Sequence, residues 1–392
     1  MKKKIISFVI SCLLFLPFEM SAYAGGIGVS AQSAVLMCAN NGEVLFAKNE
    51  HKQLSMASTT KIMTSLIALE AAIPETEITV TKEMVSVEGT SMGLLEGDSV
   101  SLRELVYGML LQSGNDAANT VAYVIGGSPE GFAELMNARA AEIGMKNTSF
   151  VTASGLDDEK HYSTAYDMAL LACESIGNPE FAAICSQKNA RLTYGNPPYA
   201  RTLTNHNRLL WKYPDAIGIK TGFTKKSGRC LVSAAERDGI VLVAVTLNAP
   251  SDWNDHISMF EYGFSKCQGV SVGCDLRGIQ LKVVGGEKQS VGLRLSYDPI
   301  WLKDKKCSYR LMVKPFEYAP VVAGKIVGTA IFFSGDKIID EVPVEAVDFV
   351  EGRIAAPPDK EPQTQEEKGL FSKITAKIKD FFQNFRGELI GR

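Results

Sequence analysis

The sequence lacks three features that mark common functional classes. It has no long basic block, and 41 Lys and Arg residues against 44 Asp and Glu give a formal net charge of −3. The phosphate attraction that a nucleic-acid-binding protein needs is therefore missing. The eight Cys residues show no C-x-x-C spacing and the four His residues no H-E-x-x-H spacing. We therefore expect no zinc site, no other metal and no cofactor.

The first 24 residues have the pattern of a secretory signal peptide. Three lysines precede an apolar stretch that ends at Phe18, and Ala22-Tyr23-Ala24 supplies the small residues that signal peptidase accepts. We expect an exported protein that begins near Gly25. A lipoprotein signal ending at Cys12 is the alternative, but the apolar run continues beyond Cys12, whereas lipoprotein signals end at the cysteine.

Removal of the signal leaves seven cysteines, an odd number, so at least one thiol of the exported protein has no disulfide partner. Most of the seven are interpreted as small buried hydrophobic residues. Cys267 and Cys274 lie near the predicted domain boundary, and they are the one pair that we would test for a disulfide.

Hydrophobic periodicity predicts one α/β domain over residues 25–266, and the hydrophobic content of 46% excludes a chain that is disordered throughout. Hairpin turns are expected at Asn40-Asn41-Gly42 and at Asp238-Gly239, because Asn-Gly and Asp-Gly supply the positive φ angles of tight turns. The middle of the domain is expected to be helical, and Ser101 with Glu104 forms a capping box there.

Two segments of different composition follow this domain. Short alternating runs separated by Gly285-Gly286 and Gly335-Asp336 predict a small all-β domain over residues 267–354. Residues 355–368 are rich in Pro, Gln and Glu, which cannot bury enough apolar surface to fold. They are interpreted as a linker.

In residues 369–392, aromatic and aliphatic residues recur at intervals of three and four, as in an amphipathic helix. Five Lys or Arg residues against two Asp or Glu give this segment a net charge of +3. The segment is too charged to span a bilayer but suits an anionic lipid surface. We expect it to hold the protein peripherally on the outer face of the cytoplasmic membrane, with packing on the protein itself as the alternative.

Ser58 and Lys61 open the first apolar-periodic helix, one turn apart on the same face. A serine hydroxyl is a weak nucleophile until a base takes its proton. A lysine whose ammonium is destabilised by burial or by another cation can be that base. Alone, S-x-x-K also describes an ordinary helix start with a solvated lysine.

Two further motifs indicate that Ser58 and Lys61 are catalytic residues. Ser113-Gly114-Asn115 interrupts the helical block, and Lys220-Thr221-Gly222 opens the later strand region. A serine nucleophile, an S-x-N and a K-T-G in this order are the set of β-lactamases and penicillin-binding proteins. From about Ser33 to Phe264 the chain resembles the serine-type D-Ala-D-Ala carboxypeptidases, which are the low-molecular-mass penicillin-binding proteins. The β domain, linker and terminal helix also resemble that family's layout.

The resemblance implies a penicillin-binding-protein or β-lactamase-like transpeptidase fold of the α/β class. This fold has an antiparallel sheet with a helical subdomain, and here the small all-β domain and the amphipathic helix follow it. The implied activity is removal of the terminal D-alanine from peptidoglycan stem peptides through a serine acyl-enzyme, and β-lactam antibiotics are expected to bind the same serine.

The resemblance also implies residue roles. Ser58 is the nucleophile, Lys61 the base in acylation, and Ser113 a relay for protons. The residues it implies for substrate binding are Asn115, Lys220, Thr221, Gly222 and Phe223. Asn115 is expected to hold the substrate amide and Lys61, Lys220 to keep Lys61 deprotonated, and Thr221 to bind the terminal carboxylate. The N–H groups of Ser58 and Phe223 are expected to form an oxyanion hole.

The sequence departs from the family in one place. Related enzymes often carry an Arg after the strand that follows K-T-G, where it pairs with the substrate carboxylate. No Arg occurs between Asn248 and His256. Arg229 is the substitute that we expect to bind this carboxylate, and a surface charge is the alternative role for it.

Three other functions remain as alternatives. A β-lactamase has the same motifs but uses a carboxylate to activate its deacylating water, and no convincing Glu for this role is present. A DD-endopeptidase on the same fold is the second alternative. A non-catalytic wall-binding protein is the third, and the complete set of motif residues argues against it.

Overall fold

The computed structural model describes residues 27–71, 76–269, 276–302 and 307–353. The predicted signal peptide, linker and amphipathic helix lie outside the described residues, as does Cys274. The described chain forms two compact units. The first holds residues 27–71 and 76–269 with short returns at 298–302, 307 and 334–340, and the second holds residues 276–297, 308–333 and 341–353.

The α-helices of the described residues belong to the first unit. They are α1 (Lys61–Glu70), α2 (Lys82–Val85), α3 (Leu102–Gln112), α4 (Asn115–Gly126), α5 (Pro129–Ile143), α6 (Ala165–Gly177), α7 (Pro179–Cys185), α8 (Leu209–Lys212) and α9 (Asp252–Lys266). A 3₁₀ turn at Ala57–Thr60 precedes α1, and a second 3₁₀ turn covers Leu276–Gly278.

The strands run through both units. They are β1 (Ser33–Cys38), β2 (Glu43–Lys48), β3 (Glu77–Thr79), β4 (Ser99–Ser101), β5 (Asn189–Gly195), β6 (Pro198–Thr204), β7 (Ala216–Thr224), β8 (Gly228–Arg237), β9 (Ile240–Leu247), β10 (Cys267–Gly269), β11 (Gln280–Val284), β12 (Ser290–Leu295), β13 (Ile300–Leu302), β14 (Cys307–Val313), β15 (Phe316–Tyr318), β16 (Ile326–Ser334) and β17 (Lys337–Ala346).

The first unit is built on a five-stranded antiparallel sheet with the order β2-β1-β9-β8-β7. Successive side chains of a strand point to opposite faces, so a sheet covered on both sides needs apolar residues at every position. In β1, Val35 and Met37 pack toward the helical block, whereas Leu36 and Cys38 pack into a second cluster with residues of α9. The sheet is therefore a central layer between α9 and the helical subdomain.

Both predicted hairpins are present. The turn at Asn40–Gly42 joins β1 to β2, with Gly42 at φ +69°. Asp238 at φ +52° and Gly239 at φ +79° join β8 to β9, as a tight turn with two positive φ angles requires. The capping box is confirmed as well, since the N–H of Glu104 donates to Ser101 Oγ and the Glu104 carboxylate accepts from the N–H of Ser101.

Helix α1 crosses the middle of the helical subdomain, against α3, α4 and α6. Ile62, Met63 and Leu66 are buried there, and each such side chain stabilises the fold by roughly 1.5–3 kcal/mol through removal of apolar area from water. The first residue of this helix, Lys61, is fully buried as well. The packing of α1 thus fixes the environment of one of the predicted site residues.

The second unit contains a six-stranded sheet with the order β14-β16-β17-β12-β11-β15, in which the β11–β15 pair is parallel. Its buried side includes Val342, Val344 and Ala346, which alternate along β17. An antiparallel sheet with a helical subdomain and a separate all-β sheet are both as predicted. Across the residues with an assigned structure, we find no helix with the length and hydrophobicity of a membrane span.

Cys267 lies at the junction of α9 and β10 and is buried. Its side chain hydrogen-bonds with the thiol of Cys38, which lowers the pKa of Cys38. The Cys267–Cys274 pair that the sequence suggested remains a prediction, because Cys274 falls outside the described ranges.

Candidate active site

The turn that carries Ser58 is held tightly. Thr59 Oγ1 donates to Met56 O at 2.7 Å, and Thr60 Oγ1 donates to Ala57 O at 2.8 Å. Ala57 adopts φ +48°, a left-handed conformation that costs free energy for a residue with a Cβ. Met56, Ala57 and Thr59 are buried, while Ser58 remains partly exposed. These hydrogen bonds and buried neighbours hold the turn in place, while the Ser58 side chain remains accessible from the surface.

Lys61 is fully buried, and its amine has three neighbours. Nζ lies 3.0 Å from Ser58 Oγ, 2.7 Å from Asn115 Oδ1 and 2.7 Å from Ser154 O. The two carbonyl oxygens can only accept hydrogen bonds, so they occupy both N–H groups of a neutral amine. Its lone pair then faces Ser58 Oγ, which is the arrangement that a base needs.

The pKa of Lys61 is well below the usual value for lysine. Burial is the main cause, because it penalises the charged ammonium, and the positive charge of Lys220 adds to the effect. Asp116 opposes both by favouring the ammonium. The balance favours a neutral Lys61 at pH values where an exposed lysine is protonated.

Ser113 and Asn115 are placed by the junction of α3 and α4. Ser113 ends α3 in a left-handed conformation at φ +60°, and Asn115 is the first residue of α4. Asn115 Nδ2 donates to Glu88 O at 2.6 Å, which turns Oδ1 toward Lys61. Both side chains are more than nine-tenths buried.

The Lys-Thr-Gly segment lies in β7, at the edge of the five-stranded sheet. Lys220 is buried, and burial lowers its pKa to about 7. A Cβ on Gly222 would stand 3.0 Å from Ser58 N and 3.0 Å from Met56 O, which is tighter than nearly all real contacts. Glycine therefore lets β7 pass directly against the Ser58 turn. Phe223, the next residue, is exposed.

A cleft of about 440 Å³ opens at Ser58. It brings together predicted site residues from the turn, the α3–α4 junction and β7. Its lining consists of Ser58, Thr90, Ser113, His206, Arg208, Thr221, Gly222, Phe223, Arg229, Asp252 and Trp253. Sequence reasoning missed five of these residues: Thr90, His206, Arg208, Asp252 and Trp253.

Arg229 lies in the cleft but already has an anionic partner. Its Nη2 donates to both carboxylate oxygens of Asp252, at 2.8 and 2.9 Å, and the guanidinium lies 5.5 Å from the ring centre of Trp253. Asp252 is nearly fully buried, whereas about two-fifths of the Arg229 side chain is exposed. Burial raises the pKa of Asp252, and Arg229 opposes that rise. Asp252 lies between Asn248 and His256, the stretch that has no Arg.

The loop between β-bridge residues Ser149 and Tyr162 also reaches the site. Besides the Ser154 carbonyl at Lys61, Asp157 Oδ1 accepts from Ser55 Oγ at 3.1 Å and from Thr224 Oγ1 at 3.0 Å. Ser154 is not predictable from the sequence, because a backbone carbonyl leaves no side-chain signal. Among residues with described structure, no cluster of three or more His, Cys, Asp or Glu side chains could hold a metal ion.

Comparison with known proteins gives one consistent result. The family model for D-alanyl-D-alanine carboxypeptidases, peptidase S11, matches residues 20–251. D-alanyl-D-alanine carboxypeptidase DacF of Bacillus subtilis is 31% identical over 366 residues, which cover 88% of this chain and 94% of that protein. DacC of Escherichia coli is 34% identical over 369 residues, covering 87% and 90%. The crystal structure of penicillin binding protein 5 from Haemophilus influenzae superposes with a TM-score of 0.62 and 28% identity, covering 83% of this chain and 99% of that one.

Proposed function

The chain belongs to the D-alanyl-D-alanine carboxypeptidase family, and from that premise we propose how this serine peptidase works. It is a penicillin-binding carboxypeptidase that removes the terminal D-alanine from peptidoglycan stem peptides. The observation that carries the mechanism is the contact of 3.0 Å between the buried amine of Lys61 and Ser58 Oγ.

Acylation begins when neutral Lys61 takes the Ser58 proton. Oγ then bonds to the carbonyl carbon of the penultimate D-alanine and forms a tetrahedral intermediate. Collapse of this intermediate breaks the C–N bond to the terminal D-alanine, whose nitrogen takes up a proton. The products of this step are free D-alanine and an ester on Ser58, which water later hydrolyses to regenerate the serine.

Ser113 relays the proton from Lys61 to the leaving nitrogen. Its position supports this role, because the serine lines the cleft beside Ser58 and is held in place at the α3–α4 junction. Burial keeps the pKa of Lys61 low, and the positive charge of Lys220 lowers it further. Asn115 holds both the Lys61 amine and the substrate amide.

The backbone N–H groups of Ser58 and Phe223 stabilise the developing oxyanion. The close approach of β7 to the Ser58 turn supports a joint role for these two N–H groups, since the missing Cβ of Gly222 lets the two segments lie next to each other. One donor of this kind is typically worth about 3 kcal/mol of transition-state stabilisation. Because β7 is an edge strand, its outer main-chain groups are also available to pair with an extended peptide.

Thr221 and Arg229 bind the terminal carboxylate of the substrate. Both line the cleft, and Arg229 keeps donors beyond the one nitrogen that Asp252 engages. Within the described residues, no protein acceptor contacts the buried Nε of Arg229. Asp252 orients the guanidinium and partly offsets its charge.

A β-lactamase is the less supported alternative. Rapid deacylation in such enzymes uses a carboxylate that activates water. In the part of the chain with assigned structure, the hydrogen-bond partners of the Lys61 amine are a hydroxyl and two carbonyl oxygens, with no carboxylate among them. The acyl-enzyme formed with penicillin is therefore expected to be long-lived.

Export and membrane attachment complete the proposal. Residues 1–24 direct export, residues 25–266 form the peptidase domain and residues 267–354 the all-β domain. Residues 355–368 link these domains to an amphipathic helix at 369–392, which holds the enzyme on lipid at the outer face of the cytoplasmic membrane. The net charge of +3 in the last segment supports an anionic surface as its partner.

The test is release of free D-alanine from diacetyl-Lys-D-Ala-D-Ala, measured beside labelling with a fluorescent penicillin. Release and stable labelling that both disappear in Ser58→Ala are expected. Labelling without D-alanine release would argue for endopeptidase or binding-only behaviour. Rapid penicillin turnover without D-alanine release would favour a β-lactamase.

A further inference from the structure

We infer that His161 is a positioning residue for acylation, because it fixes the loop whose Ser154 carbonyl directs the Lys61 amine at Ser58. The inference rests on the proposed function, since it assumes that Lys61 is the base. Within the described residues, the hydrogen-bond partners of the His161 ring are Thr60, Val151 and Thr152 rather than Ser58 or Lys61. Its effect is therefore transmitted through two segments, the Ser58 turn and the loop that contains Ser154.

The hydrogen bonds determine the tautomer of His161. The N–H of Val151 donates to Nδ1 at 2.9 Å, and the N–H of Thr152 lies 3.3 Å from the same atom, so Nδ1 carries no proton. Nε2 therefore carries the hydrogen and donates to Thr60 Oγ1 at 2.8 Å. The Thr60 hydroxyl hydrogen then goes to Ala57 O, in agreement with their distance of 2.8 Å. One neutral ring thus joins the loop to the Ser58 turn.

The same loop supplies the second acceptor for Lys61. Ser154 follows Thr152 by two residues, and its carbonyl takes one of the two hydrogens of the neutral amine. Thr64 Oγ1 of α1 donates to Ala153 O at 2.6 Å, so the loop is attached at two points around Ser154. Without His161 the loop keeps the bond from Thr64 but loses its link to the Ser58 turn, so the Ser154 carbonyl can shift and the Lys61 lone pair loses its fixed direction. A misplacement of about 1 Å costs roughly 100-fold in rate in such arrangements.

The surroundings keep His161 neutral. It is 2% exposed, and the edge of the Phe150 ring contacts it at 5.9 Å between centroids. Burial lowers its pKa to about 4; Lys61 on α1 acts in the same direction, whereas Asp158 and Asp157 on its own loop oppose it. Protonation would place a donor at Nδ1 against the N–H of Val151, so only the neutral ring can join these segments.

The test compares the pH profile of the second-order acylation constant with a fluorescent penicillin. His161→Leu removes both hydrogen-bonding atoms, and His161→Gln keeps one donor and one acceptor without a titrating ring. His256→Leu is the matched control, because His256 is equally buried in the same domain but is bonded to Ser233 and Thr246. Thr60→Val removes the acceptor for Nε2 and is the nearly isosteric second variant.

We expect His161→Leu to lower the acylation constant by roughly 10- to 100-fold at pH 7. We also expect the acid limb, the part of the pH profile where the constant falls as Lys61 becomes protonated, to move to higher pH. The reason is that a Lys61 amine without its fixed contacts is more hydrated, which raises its pKa. His161→Gln should stay within about threefold of the parent, and Thr60→Val should show the same limb shift with a smaller loss. If His161→Leu does not fold, the test of the inference is the pH profile of Thr60→Val compared with that of the parent.

The inference is overturned if the acid limb does not move in His161→Leu. If His161→Leu is unfolded, it is overturned if the acid limb does not move in Thr60→Val. The same holds if His256→Leu lowers the constant as much as His161→Leu does. Persistence of labelling in Ser58→Ala would instead overturn the proposed function, so the two failures are distinguishable.

Discussion

Lys61 Nζ lies 3.0 Å from Ser58 Oγ, at the first residue of a helix that buries the amine completely. A lysine in this position is useful only when it is neutral, and burial achieves that by penalising the ammonium. The two carbonyl oxygens that accept from Lys61 Nζ then direct the lone pair of the neutral amine toward Ser58 Oγ. In the proposed mechanism, activation of Ser58 therefore depends on the helix packing around Lys61 as much as on the motif itself.

Burial lowers the pKa of Lys61, and the charge of Lys220 is expected to add to this effect and so to shift the pH range of acylation. The proposed mechanism requires deprotonated Lys61, so we expect the acylation rate constant to fall as pH is lowered through the pKa of Lys61. Lys220→Gln removes a cation that holds this pKa down, and the acid limb should therefore move to higher pH. The measurement is the pH profile of penicillin acylation by stopped-flow fluorescence. Lys225→Gln, an exposed charge in the turn after β7, is the control, and a limb that stays in place would contradict the account.

Gly222 is expected to be required for the geometry of the site rather than for folding. In Gly222→Ala the new methyl group meets Ser58 N and Met56 O at 3.0 Å, so β7 must move away from the Ser58 turn. We expect the acylation constant to fall by roughly 10-fold, because the required shift of a few tenths of an ångström is smaller than the misplacement of about 1 Å that can cost 100-fold. Gly177→Ala, whose Cβ would meet nothing within 4 Å, is the control. A large fall in the melting temperature of Gly222→Ala, enough to unfold the protein at the assay temperature, would contradict the prediction that Gly222 is needed for site geometry rather than for folding.

Arg229 should determine KM for peptides that end in a free carboxylate. Arg229→Ala removes a cation and leaves the buried Asp252 unpaired beside the carboxylate, so KM should rise roughly 10-fold or more. Arg229→Ala/Asp252→Ala should recover part of this loss, because the unpaired anion is gone. KM is measured with diacetyl-Lys-D-Ala-D-Ala. An unchanged KM in Arg229→Ala with a raised KM in Arg208→Ala would transfer the role to Arg208, which also lines the cleft.

The terminal segment should be dispensable for chemistry. Deletion of residues 369–392 is expected to release the protein from anionic vesicles while its rate on small peptides stays the same, because the segment carries a net +3 and no motif residue. Vesicle sedimentation at low and high salt measures the first effect. Persistent binding of the truncated protein would contradict a membrane anchor.

Much of the site follows from the sequence because its residues occur in three short motifs of fixed order. The S-x-x-K spacing places Lys61 one turn from Ser58, and Asp238-Gly239 predicts its hairpin from local conformational preference alone. The Ser154 carbonyl could not be predicted, since any residue has one. Asp252 was also missed, because its role depends on a salt bridge to Arg229 across 23 positions of the chain. Long-range pairings of this kind are set by tertiary packing, which local patterns do not encode.

The most direct test of the account is to locate the covalent penicillin adduct. The protein is incubated with benzylpenicillin, its intact mass is measured, and the modified peptide is identified after digestion, beside Ser58→Ala and Lys61→Arg. We predict one adduct per chain on Ser58, none in Ser58→Ala, and formation at least 1,000-fold slower in Lys61→Arg, because a guanidinium does not act as the base. An adduct on another residue, or unchanged acylation in Lys61→Arg, would contradict the claim that Lys61 activates Ser58.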